Sequence, residues 1–143
     1  MAKDYNYKVL LARMDEALKD EFYLEASWLA YAILEDRLVS ALDETGGAVT
    51  ATGKKILMMG PKLAELQVRL PSNLNLRKAF FGDMLDRLNS WKGQRNDLMH
   101  AMADESKDIP EIDELAQTVA TKGRELAREF CSACRRLKKF NRG

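Results

Sequence analysis

Apolar residues recur at intervals of three and four along most of the chain, a pattern that predicts α-helices from end to end. The first helix is predicted over residues 4–20. Its apolar face carries Tyr7, Leu10, Leu11, Met14, Ala17 and Leu18. A second helix is predicted over 22–42, and because it is apolar on more than one face it belongs at the centre of a bundle. Glu35 lies within its main apolar stripe, so this carboxylate needs a polar partner.

The middle of the chain is interrupted by glycine and proline. Residues 44–55 hold three glycines and are predicted to form a flexible connection or lid. A third helix is predicted over 55–70, with a Gly-Pro pair that marks either a break or the true N-terminus. A fourth helix, capped by Ser72 or Asn73, is predicted to extend to about Trp91.

The last third of the chain is predicted to hold two more helical segments. Gly93 separates the fourth helix from a short helix that opens with Arg95. A polar stretch at 104–108 leads to a long final helix from Glu111, whose apolar stripe is close to a heptad repeat. Gly123 within that helix allows a neighbouring helix to approach closely.

The predicted fold is an all-α, up-and-down bundle of about five helices. No segment alternates apolar and polar residues with a period of two, so no sheet is expected. With 143 residues, 46% of them apolar, residues 1–143 are expected to form a single domain around one core. Trp28, Trp91 and the methionines are assigned to that core.

The charge distribution and the targeting signals indicate which partners and which compartment to expect. Residues 1–44 carry 5 basic and 10 acidic side chains, whereas residues 121–143 carry 8 and 2, so a polyanion is expected to meet the C-terminal end. The sequence has no apolar leader and no apolar run long enough to span a bilayer, so we expect a cytoplasmic protein without a membrane partner. Cys131 and Cys134 are too few for a disulfide framework and are expected to be buried thiols.

The candidate chemistry is concentrated in residues 95–100, which contain the only histidine of the chain. Asn96 and His100 are four residues apart and share one helical face. Arg95 lies about 140° from His100 around an ideal helix, but its long side chain at a frayed helix N-terminus can swing into the same cleft. The three side chains are therefore predicted to converge.

These residue types suit the cleavage of RNA. The 2′-hydroxyl of RNA is an internal nucleophile, and an imidazole can remove its proton or protonate the leaving 5′-oxygen near neutral pH. Arg95 can stabilise charge on the phosphate, and Asn96 can orient the imidazole. No metal or other cofactor is expected, because no cluster of ligands has the spacing of a metal site. Since one chain supplies one histidine, a paired acid and base require a second protomer or a carboxylate.

The pattern Arg95-Asn96-x-x-x-His100 in a small helical chain resembles the HEPN domain family, whose signature is an arginine and a histidine separated by four to six residues. The resemblance covers essentially the whole chain. It implies a homodimer that brings two motifs into one cleft and acts as a metal-independent endoribonuclease, often a toxin or antiviral effector with a cognate antitoxin or regulatory protein. Other members are non-catalytic RNA- or nucleotide-binding or dimerisation modules, and this alternative stays open. Met102 stands where toxins paired with a nucleotidyltransferase antitoxin have tyrosine, so the resemblance does not extend to that pairing.

Two further groups of side chains are candidates with competing structural roles. Glu35 and Asp36 could support catalysis as carboxylates, but pairing with Arg37, Arg95 or a tyrosine is the favoured interpretation. The basic side chains near the C-terminus are expected to form a solvated tail or to contact RNA backbone. They are Arg135, Arg136, Lys138, Lys139 and Arg142.

Overall fold

A computed structural model describes the backbone of residues 2–104 and 107–143 and the side chains of residues 7–104 and 107–143. Within these residues the fold is all-α, as predicted, with six α-helices instead of about five. The helices are α1 (Ala2–Lys19), α2 (Tyr23–Asp43), α3 (Met59–Arg69), α4 (Leu74–Ala79), α5 (Met84–Ala103) and α6 (Ile109–Arg142), and a 3-10 helix spans Leu70–Ser72. The only extended pairing in this part of the chain is a single bridge between Val49 and Lys55.

The chain folds into two compact units that interleave along the sequence. The first unit comprises Met1–Ile33 and Ser90–Ala127, and the second comprises Leu34–Asn89 and Arg128–Gly143. Helices α2, α5 and α6 therefore each contribute residues to both units. In the first unit, α1 and α2 are joined by a tight turn that is closed by a hydrogen bond from Phe22 N to Ala17 O (2.8 Å).

Trp91 of α5 is a central packing residue of the first unit. Its indole N–H donates a hydrogen bond to the Val119 carbonyl of α6 at 2.8 Å. Gly123 makes this close packing possible, because a Cβ at position 123 would lie 2.8 Å from Cζ2 of Trp91 and 2.9 Å from Cβ of Ala30. The predicted role of Gly123 in close helix approach is thus confirmed.

Two glycine substitutions are expected to change stability in opposite directions. Gly123→Ala forces a methyl group against two buried side chains, and we expect a loss of about 1–3 kcal/mol in the free energy of unfolding. Gly93→Ala places its methyl group in open space within α5, so it should gain about 0.5–1 kcal/mol from helix propensity. Urea unfolding followed by circular dichroism measures both. Equal effects of the two substitutions would contradict this packing.

A single guanidinium anchors the predicted loop at 44–55 in the second unit. Arg69 of α3 donates hydrogen bonds of 2.8 to 3.0 Å through its two Nη atoms. The acceptors are the carbonyl oxygens of Leu42, Gly47 and Val49 and the hydroxyl of Thr45. The loop is present as predicted, and these bonds tie it to α3.

Three predicted boundaries were wrong. Helix α3 begins at Met59 and not at 55, close to the alternative N-terminus at the Gly60-Pro61 pair, and Leu57 before it is 67% exposed. The predicted fourth helix is divided into α4 and α5, and Gly82 between them has φ +68°, a backbone conformation that an α-helix does not contain. The final helix begins at Ile109, where the carboxylate of Asp108 accepts a hydrogen bond from Glu111 N (3.0 Å) and caps the first turn.

The assignment of core residues was correct in part. Trp91 is 2% exposed as predicted, but Trp28 is 51% exposed and does not belong to the core. The methionines divide in the same way. Met14, Met59 and Met84 are buried, whereas Met58, Met99 and Met102 are exposed. Of the polar stretch predicted at 104–108, Glu105 and Ser106 lie outside the described residues.

Both cysteines are buried free thiols, as predicted. Burial raises the pKa of Cys134 to about 12 and also raises the pKa of Cys131. Because folding raises both pKa values, the thiols favour the folded state fully below their ordinary pKa of 9.0, and this stabilisation is lost as the pH rises through the raised pKa of each thiol, which is about 12 for Cys134.

We therefore expect both thiols of the native protein to resist Ellman's reagent at pH 8 and to react rapidly in denaturant. The reagent's absorbance, recorded with and without urea, measures this difference. Rapid reaction of either thiol in the native protein would contradict the burial of the pair.

Candidate functional site

All three residues of the motif lie on one uninterrupted helix. Arg95, Asn96 and His100 belong to α5, which runs from Met84 to Ala103 without a break. Gly93 lies inside α5, so the prediction that it separates the motif from the preceding helix was wrong. Burial of Trp91 and Leu98 on either side of the glycine holds the helix together across it.

Arg95 is held against an aromatic ring. Its guanidinium carbon lies 3.9 Å from the ring centroid of Tyr31 on α2, within the first unit. Arg95 follows Trp91 by four residues and precedes Leu98 by three, so it lies on the buried face of α5. Its Nε is buried and has no hydrogen-bond partner within the described residues. A buried N–H without an acceptor is costly, so the contact of the guanidinium with the Tyr31 ring has to offset the burial of this atom.

His100 is placed differently from Arg95. Its imidazole is exposed, as is the side chain of Asn96 one turn earlier on the same face of α5. In the part of the chain that the structure describes, the imidazole takes part in no hydrogen bond or ion pair. Met99 and Met102 are 37% and 44% exposed, although Met102 had been predicted to pack inward. The neighbours of His100 on its own face of α5 are the exposed polar residues Asn96 and Asp97, so the face around His100 is polar and open.

The structure brings Asn96 and His100 together and directs Arg95 elsewhere. The predicted convergence of the three side chains in one chain required a frayed helix N-terminus at Arg95. The continuous α5 provides none, and Arg95 contacts Tyr31. In an uninterrupted helix Arg95 and His100 project about 140° apart.

The two candidate carboxylates are engaged in ion pairs within the second unit. Oε1 of Glu35 accepts a hydrogen bond from Nζ of Lys62 at 2.8 Å, and Lys62 is only 7% exposed. Oδ2 of Asp36 lies 2.6 Å from Nη2 of Arg37. Burial lowers the pKa of Arg37, but the hydrogen bond and charge of Asp36, together with smaller contributions from Cys134 and Cys131, outweigh it, so the pKa is raised. These contacts agree with the structural role that the sequence favoured.

Lys62 is a partner that the sequence analysis missed. The signal was present, because Lys62 lies among Met59, Leu63 and Leu66 on the apolar stripe of α3, where a lysine needs a counter-charge. Tyr31 was also missed as the ring on which Arg95 stacks.

The basic side chains near the C-terminus divide into two groups. Arg135, Lys138, Lys139 and Arg142 recur at three and four on α6 and, with Gly143, line a surface cavity of about 450 Å³. Arg136 faces another way. Its Nη2 donates a hydrogen bond to the Ala79 carbonyl at 2.6 Å, and its guanidinium lies 4.8 Å from the centroid of Phe81.

Comparisons with known proteins do not assign a family. No protein-family model, curated protein or solved structure matches the chain significantly.

Across the described ranges, no group of three histidine, cysteine, aspartate or glutamate side chains converges as metal ligands would. None of the helices described is both long and apolar enough to cross a membrane.

Proposed function

We propose that the protein is a metal-independent endoribonuclease of the HEPN type, with His100, Arg95 and Asn96 as its site residues. The observation that carries this proposal is the exposure and the contacts of two side chains on α5. His100 is exposed and has no competing partner within the described residues, and Arg95 is fixed on Tyr31 and has no acidic partner there. The first can transfer protons, and the second can bind a phosphate oxygen.

The proposed reaction needs no group outside the RNA and the protein. The imidazole of His100 takes the proton of the 2′-hydroxyl as its oxygen attacks the adjacent phosphorus. The bond from phosphorus to the 5′-oxygen breaks, and that oxygen leaves with a proton from a general acid. The products are a 2′,3′-cyclic phosphate and a 5′-hydroxyl. Asn96, one turn from His100, can orient the imidazole or donate a further hydrogen bond.

A second copy of the chain completes the proposed site. One histidine per chain cannot be the base and the acid of one step, and Arg95 and His100 project in different directions from α5. A homodimer that apposes two α5 helices would supply the second imidazole. Met99 and Met102, which are exposed on an adjacent face of α5, offer apolar surface for such a contact.

RNA backbone contacts are proposed for the basic face at the end of α6. Arg135, Lys138, Lys139 and Arg142 share this face, and a row of such cations binds successive phosphates without reading the bases. Arg136 contributes only if it gives up its contacts with Ala79 and Phe81.

The second candidate function is a non-catalytic HEPN-like module that binds RNA or nucleotides, or that dimerises. The packing of Arg95 on Tyr31 favours it, because this contact gives the arginine a structural role that requires no reaction. Such a module would bind RNA and leave it intact.

Incubation of the purified protein with end-labelled single-stranded RNA in EDTA distinguishes the two candidates. The nuclease is expected to cut with EDTA as fast as without it and to leave 2′,3′-cyclic phosphate ends. Intact RNA that is nevertheless retained in a gel-shift assay would support the binding module and reject the nuclease. Cleavage that stops in EDTA would contradict the proposed chemistry.

A further inference from the structure

A groove with aromatic walls and an acidic rim lies in the first unit, apart from the motif on α5. It has a volume of about 400 Å³. Its lining comprises the apolar and aromatic residues Phe22, Tyr23, Leu24, Trp28 and Ala116 and the acidic residues Glu21, Glu25 and Asp113. The start of α2 and the first part of α6 supply most of these side chains.

The aromatic side chains of this groove are unusually accessible. Phe22 is 59% exposed and Trp28 is 51% exposed. Two large aromatic residues open to solvent beside each other mark an interaction surface more often than an accident of packing. Exposed tryptophan is also the preferred ring for contact with a cation.

Negative charge dominates the surroundings of the groove. A neighbouring cavity shares Phe22 and Glu25 and is also lined by Glu16, Asp20 and Arg13. The two cavities together expose five carboxylates, those of residues 16, 20, 21, 25 and 113, and one guanidinium. The surface therefore suits a segment that carries several positive charges and an apolar side chain.

The chain itself contains such a segment at its C-terminal end. Residues 135–143 include five basic side chains and no acidic one. Four of the five form the basic face of α6, whereas Phe140, which is 37% exposed, lies about 140° from Arg135 around the helix and outside this face. The basic face of α6 is thus complementary to the groove in charge.

We propose that the groove of one molecule binds the C-terminal end of α6 from a second molecule. The basic face would meet Glu25 and Asp113, and its long cationic side chains would lie over the exposed rings of Phe22 and Trp28. The two surfaces in this contact differ, so the contact is heterologous and either repeats head-to-tail or closes on itself. It does not depend on the nuclease proposal, but it uses the basic face proposed for RNA backbone, so RNA and a second molecule would compete for that face.

A charge exchange between the two surfaces tests this contact. One variant carries Glu25→Lys and Asp113→Lys in the groove, and the other carries Lys138→Glu and Lys139→Glu at the end of α6. The wild type is expected to sediment faster as its concentration rises at low salt and to lose this association in 0.5 M salt, where the Debye length falls to about 4 Å. Each variant alone should lose it, and an equimolar mixture of the two should regain it, because each then meets a surface of opposite charge.

The fluorescence of Trp28 provides an independent readout. Acrylamide should quench the associated wild type less than either separate variant, and Trp28→Phe, which leaves only the buried Trp91, should show no such difference. Circular dichroism confirms that both charge variants fold. A dimer formed through another surface would persist in every sample. It would therefore not show the loss of association in each variant and its recovery in the mixture. The proposal is overturned if either variant alone associates like the wild type, or if the mixture fails to restore the association and its protection of Trp28.

Discussion

His100→Ala is expected to slow RNA cleavage by a factor of about 10² to 10⁴, the usual contribution of a positioned general acid or base. The imidazole is exposed and makes no hydrogen bond in the part of the chain that the structure describes. Its removal should therefore change the free energy of unfolding by no more than about 0.5 kcal/mol. Single-turnover cleavage of a labelled RNA, together with urea unfolding, measures both quantities.

Asp97→Asn is the matched control for this loss of activity. Asp97 is also exposed on α5, three residues before His100, and has no role in the proposed reaction. We expect it to retain cleavage within about threefold of the wild type, since it is an exposed charge one turn from His100 that is screened by solvent and touches no reacting atom. Equal losses of cleavage rate in the two variants would show that activity depends on the surface of α5 in general and not on the imidazole of His100.

Arg95→Ala is expected to lower cleavage by about 10² to 10³, because the guanidinium that neutralises the phosphate is removed. Unlike His100→Ala, it should also lower stability, by about 1 kcal/mol, because the stacking contact with Tyr31 is lost. Arg95→Lys retains the charge but not the planar group that stacks and binds in a fork, so it should recover only part of the activity.

Tyr31→Leu separates the position of Arg95 from its chemistry. Leucine keeps an apolar side chain at this site but offers no ring face to the guanidinium. If the ring positions Arg95 for phosphate binding, cleavage should fall by about tenfold and the salt dependence of RNA binding should become shallower. A variant that loses stability but cleaves with unchanged rate would indicate that the contact is structural alone.

The helical fold could be predicted because apolar periodicity survives in nearly every segment. The prediction failed where one residue decides a boundary. The left-handed conformation of Gly82 divides α4 from α5, whereas Gly93, which looked like the stronger break, is accommodated within α5. Helix propensity is a local preference, and the burial of residues on both sides of Gly93 outweighs it.

The site was predicted less completely than the fold. The sequence identified Arg95, Asn96 and His100 as neighbours, but their directions depend on whether α5 is continuous, which periodicity does not show. The sequence pattern also did not predict contacts between residues that are far apart along the chain. The stacking of Arg95 on Tyr31 and the pairing of Glu35 with Lys62 each join two helices.

The most direct test of the central claim uses one RNA oligonucleotide and a copy with a single 2′-deoxynucleotide at the cleaved position. If the 2′-hydroxyl is the nucleophile, the wild-type protein should cut the all-RNA strand at that position and leave the substituted strand intact there, in EDTA throughout. Equal cleavage of both strands at that position would contradict the account, because the attacking group would then have to come from outside the RNA.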